Sequence, residues 1–199
     1  HPRRALPRGR DTPLCVQAYR EAKMKQHSLV AGWAMMLSAP VLAANLTDFL
    51  PAEVGASACW QRTYDQAHLN AHPDQQVTAM SFSMNYLTFE DDSEGFHVFG
   101  VEARLRDGRS GEGVGSCWAD TAGIVRCGVD CDGGGLALRL DESGNLLADL
   151  EAMGYIRLEG GCDGAEDAEI FSLEPGLDDK LFLLHPTSAK VCKSLMPGE

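Results

Sequence analysis

Apolar and polar residues alternate cleanly over four long stretches of the chain. Met80 to Tyr86 runs apolar, Ser, apolar, Ser, apolar, Asn, aromatic, and Phe99 to Leu105, Leu136 to Leu140 and Leu146 to Leu150 repeat that period of two. Successive side chains of a strand point to opposite faces, so each stretch reads as a strand with one buried face. Shorter candidates lie at 113–118, 123–128, 155–159, 169–173 and 180–184. The gaps at 90–95, 107–111, 119–123, 141–145 and 174–179 are rich in Asp, Ser, Gly and Asn, residues that close hairpins by positive φ or local side-chain bonds. About nine strands with no helix-length connection between them predict an all-β antiparallel meander. Its short local turns suit an up-and-down barrel of 8–9 strands, with a two-layer β-sandwich as the alternative. One short helix near the N-terminus is predicted over Thr63 to His72, ended by Pro73.

Upstream of the strands the pattern changes. Lys25 precedes an apolar run from Leu29 to Leu37; Ser38 and Pro40 end it, and Val41, Leu42 and Ala43 follow as small or apolar cleavage-site residues. This is the three-part order of a secretory signal peptide, and the run falls short of the roughly 20 residues a membrane span needs. The expected organisation is an upstream segment at 1–23 outside the mature protein, with Met24 as the start. A signal peptide at 24–44, a lead-in at 45–58 and one barrel-like domain at 59–199 follow. The expected location is the periplasm or the exterior, with no membrane span in the mature protein.

Removal of residues 1–44 alters the charge. Seven of 17 basic and two of 29 acidic residues precede residue 45, leaving 10 basic and 27 acidic side chains, a net of −17. A nucleic-acid partner is excluded on this balance, because phosphate contacts need clustered Lys and Arg. A basic protein or a small ligand held in a barrel mouth fits better. Cys15 is also lost, and six cysteines remain. An even number in an exported chain reads as disulfides. Cys117 and Cys127 flank a turn symmetrically; Cys131 and Cys162 open two Cys-Asp-Gly loops; Cys59 and Cys192 bracket the domain. The expected bridges are Cys117–Cys127, Cys131–Cys162 and Cys59–Cys192.

Two metal sites are conceivable from the residue types. His68 and His72 are four apart, so on a helix both imidazoles share a face and suit zinc, although Leu69 stands where a metalloprotease helix carries Glu. Asp130 and Asp132 in one Cys-Asp-Gly loop, with Asp163, Glu166 and Asp167 in the other, offer hard oxygens for calcium if a Cys131–Cys162 bridge joins the loops. Neither loop has the ligand series of an EF-hand. Ser110 lies in a glycine-rich turn that matches no nucleophile elbow. Gly133 to Gly135 lead into a strand rather than a helix, which argues against a phosphate cradle. Carboxylate pairs are uninformative among so many acids.

The segments from Cys59 to Met80, Arg126 to Gly135 and Leu173 to His185 resemble exported proteins of Gram-negative bacteria, with the likeness running from about Cys59 to Cys192. The resemblance implies a periplasmic address and a domain start at Cys59–Trp60. It implies no activity and no catalytic residue. The expectation is a non-catalytic binding or interaction protein of the envelope, against a carboxylate- or metal-dependent hydrolase and a structural envelope protein with weak calcium binding.

Overall fold

The computed structural model describes residues 44–88, 94–159 and 170–195, all within one compact unit, Val41–Glu199. Residues 1–23 and the expected signal segment up to Ala43 lie outside the described residues. So do Cys162, Asp163, Glu166 and Asp167.

Among the described residues ten strands form: β1 (Ser57–Thr63), β2 (Val77–Leu87), β3 (Phe96–Leu105), β4 (Ser110–Ala119), β5 (Val125–Val129), β6 (Gly135–Leu140), β7 (Leu146–Asp149), β8 (Ile156–Leu158), β9 (Phe171–Leu173) and β10 (Leu181–Thr187). Eight of them close an antiparallel barrel in the order β1-β10-β7-β6-β5-β4-β3-β2, while β8 and β9 pair with each other apart from it. The fold is therefore the closed barrel, not the sandwich. The pattern of apolar positions missed β1: its strand character is short and shared between an inward Trp60 and an outward Cys59. Two helices precede β2, the single turn α1 (Leu46–Phe49) and α2 (Gln66–Ala71), and a 3-10 helix follows β10 at Ala189–Leu195.

The lumen is full. Met80, Phe82 and Met84 of β2, Phe99 and Val101 of β3, Leu136 and Leu138 of β6 and Leu146 of β7 are all at 0% exposure. An eight-stranded barrel is just wide enough for side chains to fill it, so nothing further is needed to occlude the interior. The Phe82 and Phe99 rings, diagonal neighbours on the paired strands β2 and β3, stack 5.4 Å apart inside it.

Both barrel ends are covered. At one, Phe49 and Leu50 around α1 join the core, His97 Nε2 lies 2.9 Å from the Leu50 carbonyl, and the Trp60 indole donates to the Gly144 carbonyl. At the other lies the β8–β9 hairpin, whose Ile156, Leu158, Phe171 and Leu173 are buried in the same core. It packs on β4, whose inward positions 111, 113 and 115 are all glycine. A Cβ on Gly113 would meet the Arg157 carbonyl at 3.1 Å and Val129 at 3.0 Å, so the absent side chains make the hairpin's seat. The Gly133–Gly135 run serves the same contact. Gly135 N donates to Tyr155 O at 2.8 Å and Arg157 N to Gly133 O at 2.7 Å, which brings the β8 backbone directly onto the β5–β6 turn.

Cystines brace the barrel from inside and outside. Cys117 and Cys127 are cross-strand partners of β4 and β5 joined by a disulfide in the main core. Cys59 of β1 is joined to Cys192, which pins the 3-10 helix to the outer wall. Beneath that helix Ser83 Oγ bonds the Leu195 and Gly100 carbonyls, so the serine face of β2 is buried rather than wet. Cys131 is disulfide-bonded as well. No helix among the described residues is long and apolar enough to cross a membrane.

Candidate functional site

The barrel's closing seam is short. β1 and β10 pair only over Cys59–Thr187, Trp60–Pro186 and Gln61–His185. Beyond Gln61 the strands part, and a side chain stands in for the ladder: Arg62 Nη1 donates to the Leu183 carbonyl at 3.3 Å. The opening is a cleft of about 160 Å³ between Arg62 of β1 and Tyr64 just beyond it on one side and Leu181 and Leu183 of β10 on the other, completed by His68, His72, Gln75 and Asp178.

α2 supplies the cleft's aromatic wall. Asp65 caps the helix, its Oδ1 accepting from His68 N at 2.8 Å, and Leu69 anchors it in the core. That places His68 and His72 on one face, where they stack at 4.4 Å between ring centres. His68 also stacks on Tyr64 at 4.7 Å, and the Arg62 guanidinium lies 4.6 Å above the Tyr64 ring. The column ends on Asp178, whose Oδ1 is 3.8 Å from His72 Nδ1. Burial pushes the Tyr64 hydroxyl above its ordinary pKa, against the pull of the Arg62 charge.

Hydrogen bonding fixes the proton on His68. Gln75 Nε2 donates to the Val77 carbonyl, so Gln75 Oε1 accepts, and the His68 Nε2 that lies 3.0 Å from it carries the hydrogen. The two histidines anticipated as a zinc pair do lie together, but their rings stack face to face at 25° instead of converging on one point. Among the described residues no group of three or more His, Cys, Asp or Glu side chains could hold a metal ion. Asp130 and Asp132 sit in the β5–β6 turn, with Cys131 at φ 56° and Asp132 at φ 60°, and the Tyr155 hydroxyl donates to the Asp132 carbonyl. Their anticipated companions Asp163, Glu166 and Asp167 fall outside the described residues.

Two further groups hold the cleft's base. Arg106, in the β3–β4 turn, donates to the carbonyls of Gln75, Leu69 and His72, tying α2 and the loop after it to the sheet. Asp179, only 2% exposed, accepts from the backbone N–H groups of Gln76 and Val77. Burial raises its pKa above the usual carboxylate value despite those two bonds. The cleft presents charged, imidazole, phenol and amide groups beside two leucines. Of its residues the sequence pointed only to His68 and His72. Asp178, Arg62 and Tyr64 carried no motif.

No family model, curated protein or solved structure matches the chain.

Proposed function

We propose that the protein is a non-catalytic binding or interaction protein of the cell envelope that works from its outer surface. The filled lumen carries this reading: a barrel whose interior side chains are at 0% exposure has no internal ligand site. What it offers is a rigid, cystine-braced wall with a polar cleft where its seam opens. The expected mature charge of −17 favours a basic partner, drawn by the field of the whole molecule. Disulfides accord with folding in an oxidising compartment, and the signal-peptide pattern from Met24 to Ala44 supports an exported location.

A methyl-labelled sample tests the reading. Titration with a short peptide of alternating lysine and alanine at low salt should shift resonances of outward residues, and leave the Met80 and Met84 methyls in place. Binding should weaken as salt is raised. Movement of those methyls, or no binding of the cationic peptide at all, would overturn it.

A further inference from the structure

The cations at the cleft are already engaged with the protein itself. Arg62 is spread over Tyr64 and bonded to the Leu183 carbonyl; Arg106 serves three carbonyls; Lys180 pairs with Glu151 at 2.6 Å. Asp178 is left with an imidazole as its ion-pair contact among the described residues, and that group is charged only when protonated. Its carboxylate side chain is 27% exposed, partly shielded from water, and the buried Asp179 beside it adds to the negative potential. Around it lie the half-exposed His72 ring, the apolar Leu183 and the exposed Leu181, the latter at 46%, and Leu177, the residue before Asp178 in the chain, is 77% exposed. Exposed leucines beside an underused carboxylate and a flat ring match one ligand chemistry. An arginine side chain has an aliphatic stem for the leucines, a planar face for the imidazole and a fork of N–H donors for the carboxylate.

We propose that the seam cleft is the docking point for an arginine side chain of the basic partner, with Asp178 as its anchor. This deepens the outer-surface reading and rests on it. Arginine fits better than lysine, because a compact ammonium gains little from the ring face.

The probe is Nα-acetyl-arginine amide, followed by the ring-proton resonances of His68 and His72 and the methyls of Leu181 at neutral pH. Saturable shifts at those residues are expected, weaker for the lysine analogue and absent for the neutral citrulline analogue. Asp178→Asn should reduce affinity by at least about fivefold, the range for a partly shielded, charge-assisted pair. Glu142→Gln, in the β6–β7 turn, should leave it unchanged. Leu181→Arg supplies a competing guanidinium from an exposed position, should abolish the His68 and His72 shifts, and provides a second test if Asp178→Asn disturbs the fold. Equal shifts with citrulline, or full affinity in Asp178→Asn, would refute the cleft assignment. If the lysine-alanine peptide still binds another face in a salt-dependent way, the outer-surface reading survives that loss.

Discussion

Gly134 is the position where a single methyl group should do the most damage. Its φ is +69°, and a Cβ there would drive into the carbonyl oxygen of Tyr155, a backbone atom that cannot swing aside. Gly134→Ala therefore carries two costs. Placing alanine at positive φ costs about 1 kcal/mol. Relief of the clash requires β8 to move off the β5–β6 turn, which breaks Gly135 N to Tyr155 O and Arg157 N to Gly133 O. Each such backbone bond is worth about 1 kcal/mol net, and the movement also loosens the packing of Ile156 and Leu158, so the total comes to about 3–4 kcal/mol. Gly144→Ala is the control: φ is +78°, but nothing lies within 4 Å of the added methyl, so only the backbone cost of about 1 kcal/mol applies. For a domain of this size these values correspond to melting shifts of about 10 °C and about 3 °C. Urea unfolding at pH 7 measures the difference, with similar m-values expected for both variants. Destabilisation of the two variants to the same extent would show that the plug hairpin does not depend on the close approach of β8 to this turn.

Other perturbations test the remaining supports. The Cys59–Cys192 bridge closes 133 residues and Cys117–Cys127 closes 10, so replacing each pair by alanine should cost about 5 and about 2.7 kcal/mol on the chain-entropy model, read from denaturation midpoints; equal losses would contradict it. Asp179 has a folded pKa raised by burial, so its contribution to stability is complete below its unfolded value and is lost as pH rises through the folded one. Asp179→Asn, compared with the parent by urea melts between pH 4 and pH 7, should therefore look relatively better at the higher pH, even though an amide cannot accept both backbone N–H groups equally well; a pH-independent difference would contradict the assignment. Arg106→Met removes the donors to three carbonyls and should cost about 2–4 kcal/mol. It should also raise hydrogen exchange in α2, whereas an effect on global stability with α2 protection intact would show that Arg106 does not hold that helix.

The barrel was legible because alternation reports directly which face of a strand is buried, and every long alternating stretch became a barrel strand. The polar half of the pattern was harder to interpret. Ser81, Ser83 and Asn85 read as solvent-facing, yet all are buried; over Ser83 the cover is the 3-10 helix held by Cys192, and Ser81 accepts from the Gln61 amide. Small polar side chains suit both water and a tightly packed second layer, and period alone does not separate the two. The strands at 155–159 and 169–173 carried the same signal as their neighbours but left the meander. Their destination is written in β4, where glycine at the inward positions 111 and 113 leaves space that the β8–β9 pair fills.

The cleft was illegible for a reason of topology. It exists because the β1–β10 seam stops after three pairs, and the residues on its two sides, Arg62 and Leu183, are 121 positions apart. Neither strand shows an anomaly by itself; the mismatch belongs to the pairing. A seam is also where a closed barrel is least constrained, since its register is set by the sum of all the other pairings and not by a local turn. That relieves the seam of the demand for continuous hydrogen bonding which the hairpin-linked pairs must meet. A filled lumen leaves the outer wall as the accessible surface, and an interrupted seam gives that wall a recess without breaking a hairpin. The cystines are consistent with this division: Cys59–Cys192 and Cys117–Cys127 brace the wall and the core, while the ladder that parts beyond Gln61 is held by an arginine side chain.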